Sequence, residues 1–337
     1  MELLLLGVVI AVSGCFAFIN GFHDVSNSVA TAVRTRSLLP RVAVVLAAFF
    51  NFLGVLVSGT LAVLISTQWF SVPEGSSGLG ILMAGLVAAC GWGIFTWWRR
   101  MPSSSTHALF GGLWGADLAA AFLDRPNITA TDGFLAGQLF LPLLLSPVLA
   151  FGIAYLAVYP AIWISRYNTP GESNRTNRTA QAVLAGAFSL GHGLQDGQRT
   201  VAVVLLALGA AGLASNSTDI PMWVQLFAGT LLAAGTLFGG WRIVHTLGYR
   251  LVRIDPLRGA IAQGVSAIML FVGALGLHMP LSSTHTVASG ILGAGANQRF
   301  AAVRWRVALR VLLVWALTAF ASALLGAVLY LAVDPIL

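Results

Sequence analysis

Two aspartates stand inside apolar sequence in this 337-residue chain, and both have the same local setting. The first belongs to Asn20-Gly21-Phe22-His23-Asp24-Val25-Ser26-Asn27, the second to His192-Gly193-Leu194-Gln195-Asp196-Gly197-Gln198-Arg199. The Gly-x-polar-Asp core aligns without a gap. A charged Asp at the centre of a membrane span costs about 2.5–3.5 kcal/mol on insertion scales, so two of them in matched positions point to function. The plainer alternative is that each caps a broken helix or pairs with Arg199. Flanking glycines predict local unwinding that would expose backbone groups to a ligand.

A second motif is also present twice. Met101-Pro102-Ser103-Ser104-Ser105-Thr106-His107 and Met279-Pro280-Leu281-Ser282-Ser283-Thr284-His285 follow the aspartates in the same order, each leading into Gly-rich apolar sequence. Pro suits a first turn, and Ser or Thr caps free amides, so both segments read as helix starts. A helix start offers N–H donors and partial positive charge, which suits an anion. Two starts approaching from opposite sides of a membrane would form an oxyanion cradle of amides and hydroxyls. His107 and His285 read as hydrogen-bond donors that support the hydroxyls rather than as proton carriers. Asp117 has no match in the second half and reads as an interfacial residue.

The elements that must position these residues are membrane spans. Charged residues make up 9% of the chain and hydrophobic ones 58%, with a mean hydropathy of +0.87. An ordinary soluble domain carries roughly 25% charged residues, so the bilayer must be the solvent. Apolar segments run approximately 3–33, 42–66, 79–98, 103–122, 134–164, 180–214, 222–246, 259–277, 282–297 and 308–332. The fourth and ninth are short and rich in Ser, Thr and Gly, so each is either a crossing or part of a re-entrant hairpin. Cys15 and Cys90 are isolated thiols that form neither a metal site nor a disulfide framework. The ten Trp and five Tyr are assigned to interface anchoring and packing. The apolar N-terminus lacks a basic leader and reads as a retained first span.

The net charge of +7 does not mark a nucleic-acid binder. All 18 basic residues are Arg, and all but Arg125 and Arg199 fall in alternate loops between apolar segments. That is the positive-inside pattern. It predicts cytoplasmic Arg-rich loops and both termini outside. Five segments per half is an odd number, so the second half must run opposite to the first. The expected fold is therefore an all-α polytopic membrane protein of two inverted-topology repeats with broken helices and re-entrant hairpins. The expected division is a first repeat over 1–165, a cytoplasmic linker over 166–179 and a second repeat over 180–337.

With these residues the sequence resembles the inorganic phosphate transporter (PiT) family. The first motif is similar to that family's Gly-x-Asn/His-Asp-x-Ala-Asn signature, as is Thr-Arg-Ser-Leu-Leu-Pro-Arg over 35–41. The second is similar to its Gly-x-Asn/Gln-Asp-x-Gln-Lys version, and both Pro-x-Ser-Ser/Thr segments match. The resemblance covers essentially the whole chain. It implies a cation-coupled phosphate symporter in a bacterial cytoplasmic membrane, working as a homodimer among lipids and needing no cofactor beyond a coupling ion, H⁺ or Na⁺. By matching position, it implies phosphate binding by Ser104, Ser105, Thr106, Gln198, Ser282, Ser283 and Thr284. It likewise implies cation coupling by Asp24, Asn27 and Asp196, to which the charge of Arg199 adds a fixed cation. Ser26 stands where the family usually has Ala, and Arg199 stands where sodium-coupled members tend to have Asn and another subgroup has Lys.

Electrostatics supplies the reason for coupling. A phosphate anion and two carboxylates cannot share a low-dielectric site without protons, Na⁺ or a fixed cation between them. Arg199 as a tethered cation would leave one Asp to be neutralised by a proton; co-transport of a metal phosphate is a variant of this. Other readings are a sulfate transporter, a passive channel and an intramembrane hydrolase. The hydrolase reading lacks a separate base and orienting group for its Ser and His residues.

Overall fold

The computed structural model describes residues 1–130, 137, 140–213, 220–298 and 303–337. Asp219, Arg299, residues 134–136, 138 and 139 of the fifth apolar segment and residue 214 of the sixth lie outside the described residues. Half one comprises α1 (Glu2–Arg34), α2 (Pro40–Val57) continued by α3 (Thr60–Val63), α4 (Ser76–Trp98), α5 (Ser105–Phe122) and α6 (Leu141–Ile164). Half two comprises α7 (Pro170–His192) continued by α8 (Gln198–Ala210), then α9 (Met222–Phe238) continued by α10 (Trp241–His245). It ends with α11 (Pro256–Phe271), α12 (Ser283–Ala296) and α13 (Trp305–Val333).

Local sequence sets the boundaries. Pro40, Pro170 and Pro256 occupy first turns, where the missing N–H costs nothing. Thr169 and Glu172 form a reciprocal capping box that starts α7, so residues 170–179 of the expected linker are already helical. Gly239 adopts a left-handed φ of 68°, and the chain bends by 57° between α9 and the α10 segment.

The two halves repeat one packing scheme. In half one, α5 packs on α4 and reaches across to α13; in half two, α12 packs on α11 and reaches across to α6. Likewise α1 packs on α4 and α9, while α7 packs on α11 and α2. Each pairing has its mate when the halves are exchanged.

The ends of the bundle show that the repeats run in opposite directions. At the end where the chain begins and finishes, Gly75 N–H donates to the Ala210 carbonyl at 2.7 Å and Ser76 Oγ to the Leu337 carbonyl at 2.9 Å. Arg125 pairs with Asp334 there at 2.9 Å. The opposite end carries the Thr35–Gln181 hydrogen bond and that from the Arg304 N–H to the Leu251 carbonyl. The α4–α5 hairpin therefore opens toward the termini, and the α11–α12 hairpin opens toward the opposite end. The tip of the first hairpin lies inside the bundle. Its Pro102 carbonyl accepts from Trp315 Nε1, ten residues or roughly 15 Å into α13.

Of the two readings open for the fourth and ninth segments, the re-entrant one holds. Among the described residues six segments run along the bundle, three per half, and two hairpins turn back within it. The short fourth and ninth segments are the returning arms, each paired with the segment before it. They are short because a polar helix start in mid-membrane replaces the apolar residues of a full span. Three is still odd, so the inversion expected from the segment count stands.

Glycine fixes how closely the arms pack. A Cβ on Gly115 of α5 would lie 1.8 Å from the Ala323 carbonyl oxygen of α13. Backbone cannot yield as a side-chain tip can. Gly115→Ala is expected to lower stability by about 1–3 kcal/mol, read as a drop in melting temperature of the detergent-solubilised protein.

Candidate functional site

The two aspartates reach the same point from helices of different character. α1 runs unbroken through Asp24, contrary to the unwinding expected from its glycines. Gly21 serves close crossing instead, since a Cβ there would lie 2.0 Å from the Leu232 carbonyl oxygen. In half two, residues Gly193–Gly197 form a π turn, and Gly193 packs its backbone on Asn51. A π turn widens the helix by one residue and is common at functional sites. It turns Asp196 toward Asp24.

The hairpin tips close over this pair. Ser104 caps α5 by accepting from His107 N–H, and Ser282 caps α12 by accepting from His285 N–H, both at 3.2 Å. Each cap occupies the third amide of its helix. The first two amides, of Ser105 and Thr106 and of Ser283 and Thr284, have no acceptor within the helix. The caps touch each other, with Ser282 Oγ donating to Ser104 Oγ at 2.9 Å.

The next hydroxyls donate to the carboxylates. Thr284 Oγ1 donates to Asp24 Oδ1 at 3.1 Å and Ser283 Oγ to Asp196 Oδ2 at 3.1 Å. Ser105 Oγ lies 3.3 Å from both Asp24 Oδ2 and Asp196 Oδ2. Asn27 Nδ2 donates to Thr284 Oγ1 at 3.0 Å.

Arg199 supplies a fixed positive charge. Its Nη1 lies 2.7 Å from Asp196 Oδ1, and its Nη2 donates to the Leu281 carbonyl at 2.6 Å. The guanidinium thus ties the π-turn segment to the second hairpin. Asp24, Asp196 and Arg199 are all buried.

The structure therefore gathers most of the residues expected from the sequence, but not all. Gln198 turns away, its Nε2 donating to the Val55 carbonyl at 2.8 Å. Thr106 is buried beside the tip with no side-chain hydrogen bond to either carboxylate.

Two histidines left without a role by the sequence reading also touch the carboxylates. His23 Nδ1 lies 2.8 Å from Asp24 Oδ1, and His192 Nε2 lies 3.2 Å from Asp196 Oδ2 and 3.8 Å from Asp24 Oδ2. Asp24, His192 and Asp196 bring their polar atoms within 4.8 Å of one another, compact enough to share a proton or a small cation. The available signal was the motif alignment itself, which places His192 against Asn20. His107 and His285 stack at 4.6 Å, and Trp315 stacks on His285 at 4.1 Å, so one Trp assigned to packing buttresses the site.

Comparison with known proteins agrees with the geometry. The profile of the phosphate transporter family matches residues 20–170 and again residues 160–326, once per half. A probable low-affinity inorganic phosphate transporter of Bacillus subtilis (strain 168) is 36% identical, over 99% of both chains. Another, from Rhizobium meliloti (strain 1021), is 40% identical over 98% of this chain and 97% of its own. A solved structure titled "The sodium-dependent phosphate transporter" shares the fold, with a TM-score of 0.83, 21% identity, and coverage of 99% of this chain and 100% of that one. With both halves matched by the profile, this multi-pass membrane protein belongs to the phosphate transporter family, a family of transporters rather than enzymes.

Proposed function

We propose that the chain imports inorganic phosphate as a proton symporter, binding the anion between the two hairpin tips. One observation carries the reading. Two hydroxyl-bearing helix starts meet over a pair of buried carboxylates, of which one is already held by a buried arginine.

Phosphate needs the donors that the carboxylates now use. Ser105, Ser283 and Thr284 hydroxyls rotate from Asp24 and Asp196 to the incoming anion, joining the free amides of both helix starts. A carboxylate that gives up its donors in a buried site must be neutralised in another way. Arg199 does this for Asp196. A proton does it for the remaining negative charge, and binding of anion and proton thereby favour each other. Na⁺ takes several oxygen ligands, as hard cations do. Here a guanidinium takes one Asp196 oxygen and an imidazole nitrogen faces the other, which favours a proton. The carboxylates also favour phosphate over sulfate, because a protonated phosphate oxygen can donate to them and fully deprotonated sulfate cannot.

Arg-rich loops at Arg34–Arg41, Arg166–Arg178, Arg250–Arg258 and Arg304–Arg310 lie at the end of the bundle opposite the termini, so both termini are assigned to the outside. Arg99 and Arg100 stand at the first hairpin's tip rather than in a loop at that end. The repeats span 1–165 and 180–337; the bundle that bears the motifs rocks against the remaining spans around the fixed site, and two copies of the chain form the working unit. Chemical cross-linking in native membranes tests the last point; a monomer as the sole species would remove it.

Labelled phosphate uptake into proteoliposomes, with unlabelled sulfate as competitor, tests substrate and class together. Accumulation above the outside concentration, unaffected by tenfold excess sulfate, is the expected result. Equilibration without accumulation would mean a channel, and equal competition by sulfate would mean a general oxyanion carrier.

A further inference from the structure

We propose that the coupling proton rides on His192, and that Asn51 and Thr236 are the positioning residues that place it there. This rests on the proton-symport reading above.

The argument follows one chain of hydrogen bonds into the site. Thr236 Oγ1 donates its only proton to the Leu232 carbonyl at 2.8 Å, one turn back in α9. Its oxygen can then only accept, and it accepts from Asn51 Nδ2 at 2.9 Å. That fixes the Asn51 amide, so its Oδ1 faces His192 Nδ1 at 3.0 Å. An amide oxygen can only accept. His192 therefore carries its N–H on Nδ1, and all four groups are buried.

The other ring nitrogen then decides the charge. The polar contacts of Nε2 are carboxylate oxygens, Asp196 Oδ2 at 3.2 Å and Asp24 Oδ2 at 3.8 Å. A neutral ring would aim a lone pair at two anions in a buried site. One further proton on Nε2 turns repulsion into attraction to both carboxylates, the nearer being Asp196. His23 also touches Asp24, but only through Nδ1, whose N–H donates to it; its Nε2 faces the Thr96 and Ser103 hydroxyls at 3.4 Å and no carboxylate.

The charge count fits transport. Asp24, Asp196 and Arg199 sum to one negative charge, and a proton on His192 brings the set to neutral before a phosphate anion enters. Release of that proton on the inner side restores the negative charge and expels the anion. Around His192, α1 contributes Asp24 and, through it, His23; its own segment contributes Asp196 and Arg199. Among the described contacts α2, α9 and α11 bring it no ionisable group.

The repeat shows where this device is built. The position matching His192 in half one is Asn20, a buried amide whose oxygen and nitrogen have no hydrogen-bond partner among the described residues. Half two has a ring and an arginine where half one has Asn20 and Asn27, whereas half one has His23 where half two has Gln195.

The test compares wild type with Asn51→Asp, Asn51→Leu and Thr236→Val in proteoliposomes, measuring initial phosphate uptake between about pH 5 and pH 9, the range in which histidine changes charge. Asn51→Asp holds the imidazolium more strongly and moves the alkaline limb up by about one pH unit or more. Asn51→Leu removes the acceptor and moves it down by about as much, with Thr236→Val shifting it less in the same direction. Nitrogen-15 NMR of histidine-labelled wild type, with His192 assigned by its loss in His192→Asn, reads the tautomer without any transport and needs no variant of Asn51. Nδ1-protonated or doubly protonated His192 is expected. Superimposable pH profiles for Asn51→Asp, Asn51→Leu and wild type, or a neutral ring protonated on Nε2, would overturn the proposal. Uptake by wild type that ignores a pH gradient would instead sink the symport reading, while the NMR result still reports on the ring.

Discussion

Asp24→Asn and Asp196→Asn each lower phosphate uptake at least about 100-fold, equivalent to about 2.7 kcal/mol at 1.36 kcal/mol per decade, yet they differ in stability. Asp24 accepts from Thr284 at 3.1 Å and Ser105 at 3.3 Å and contacts His23 at 2.8 Å. An amide in its place turns an acceptor toward donors into a mixed group and removes the charge to which the coupling ion responds. Hydrogen bonds to charged groups contribute roughly 1.5–3 kcal/mol each, so loss of even one accounts for most of the effect.

Asp196→Asn does something further. It leaves the Arg199 guanidinium, 1% exposed, without its carboxylate at 2.7 Å. An uncompensated buried charge costs about 3–5 kcal/mol, so this variant melts earlier than Asp24→Asn. Adding Arg199→Gln to Asp196→Asn removes the orphaned charge. That double variant recovers much of the melting temperature but not uptake. Equal melting temperatures for the two single variants would show that the Arg199–Asp196 pair is not the buried ion pair described here.

The second large effect concerns motion. Ser104 and Ser282 touch through their hydroxyls at 2.9 Å, each at the start of a hairpin's returning arm. If access to the site requires the two hairpin tips to part, joining them stops transport. Ser104→Cys with Ser282→Cys, in a chain with Cys15 and Cys90 replaced by Ala, is expected to lose nearly all uptake on oxidation. Dithiothreitol is expected to restore the rate of the reduced protein. The comparison is made within one variant, so any loss from the caps themselves, about 1 kcal/mol each, cancels. Undiminished uptake by protein shown to be fully cross-linked would mean that the tips stay together throughout the cycle.

Much of this architecture was legible because charge and polarity are costly in a bilayer. Asp24 and Asp196, Ser104–Thr106 and Ser282–Thr284 stood out against apolar sequence, and their duplication gave both the repeat and the site. The Arg pattern and an odd segment count gave the inversion. What sequence could not show was depth. Residues 79–98 and 259–277 are long enough to cross, and it takes the contacts of Pro102 with Trp315 and of Ser104 with Ser282 to show that the first hairpin turns back inside the bundle. Nor could it separate two uses of glycine. Gly21 and Gly193 read alike, yet α1 stays helical while the second segment forms a π turn.

His192 was missed for a related reason. A lone histidine beside an Asp motif is ambiguous until its partners are known, and those come from α2 and α9, which carry no recognisable motif. Arg199 was singled out as the point where the halves differ, and it does sit on Asp196. The wider difference takes in His192 as well as Arg199, which face Asn20 and Asn27 in half one, and His23, which faces Gln195 in half two.

Proton coupling at this unequal site is the central claim, and uptake of labelled phosphate into proteoliposomes under one imposed gradient at a time tests it most directly. A pH gradient, acid outside, in sodium-free buffer is expected to drive accumulation, while a Na⁺ gradient at equal pH adds nothing. Accumulation that requires Na⁺ and ignores the pH gradient would contradict the account.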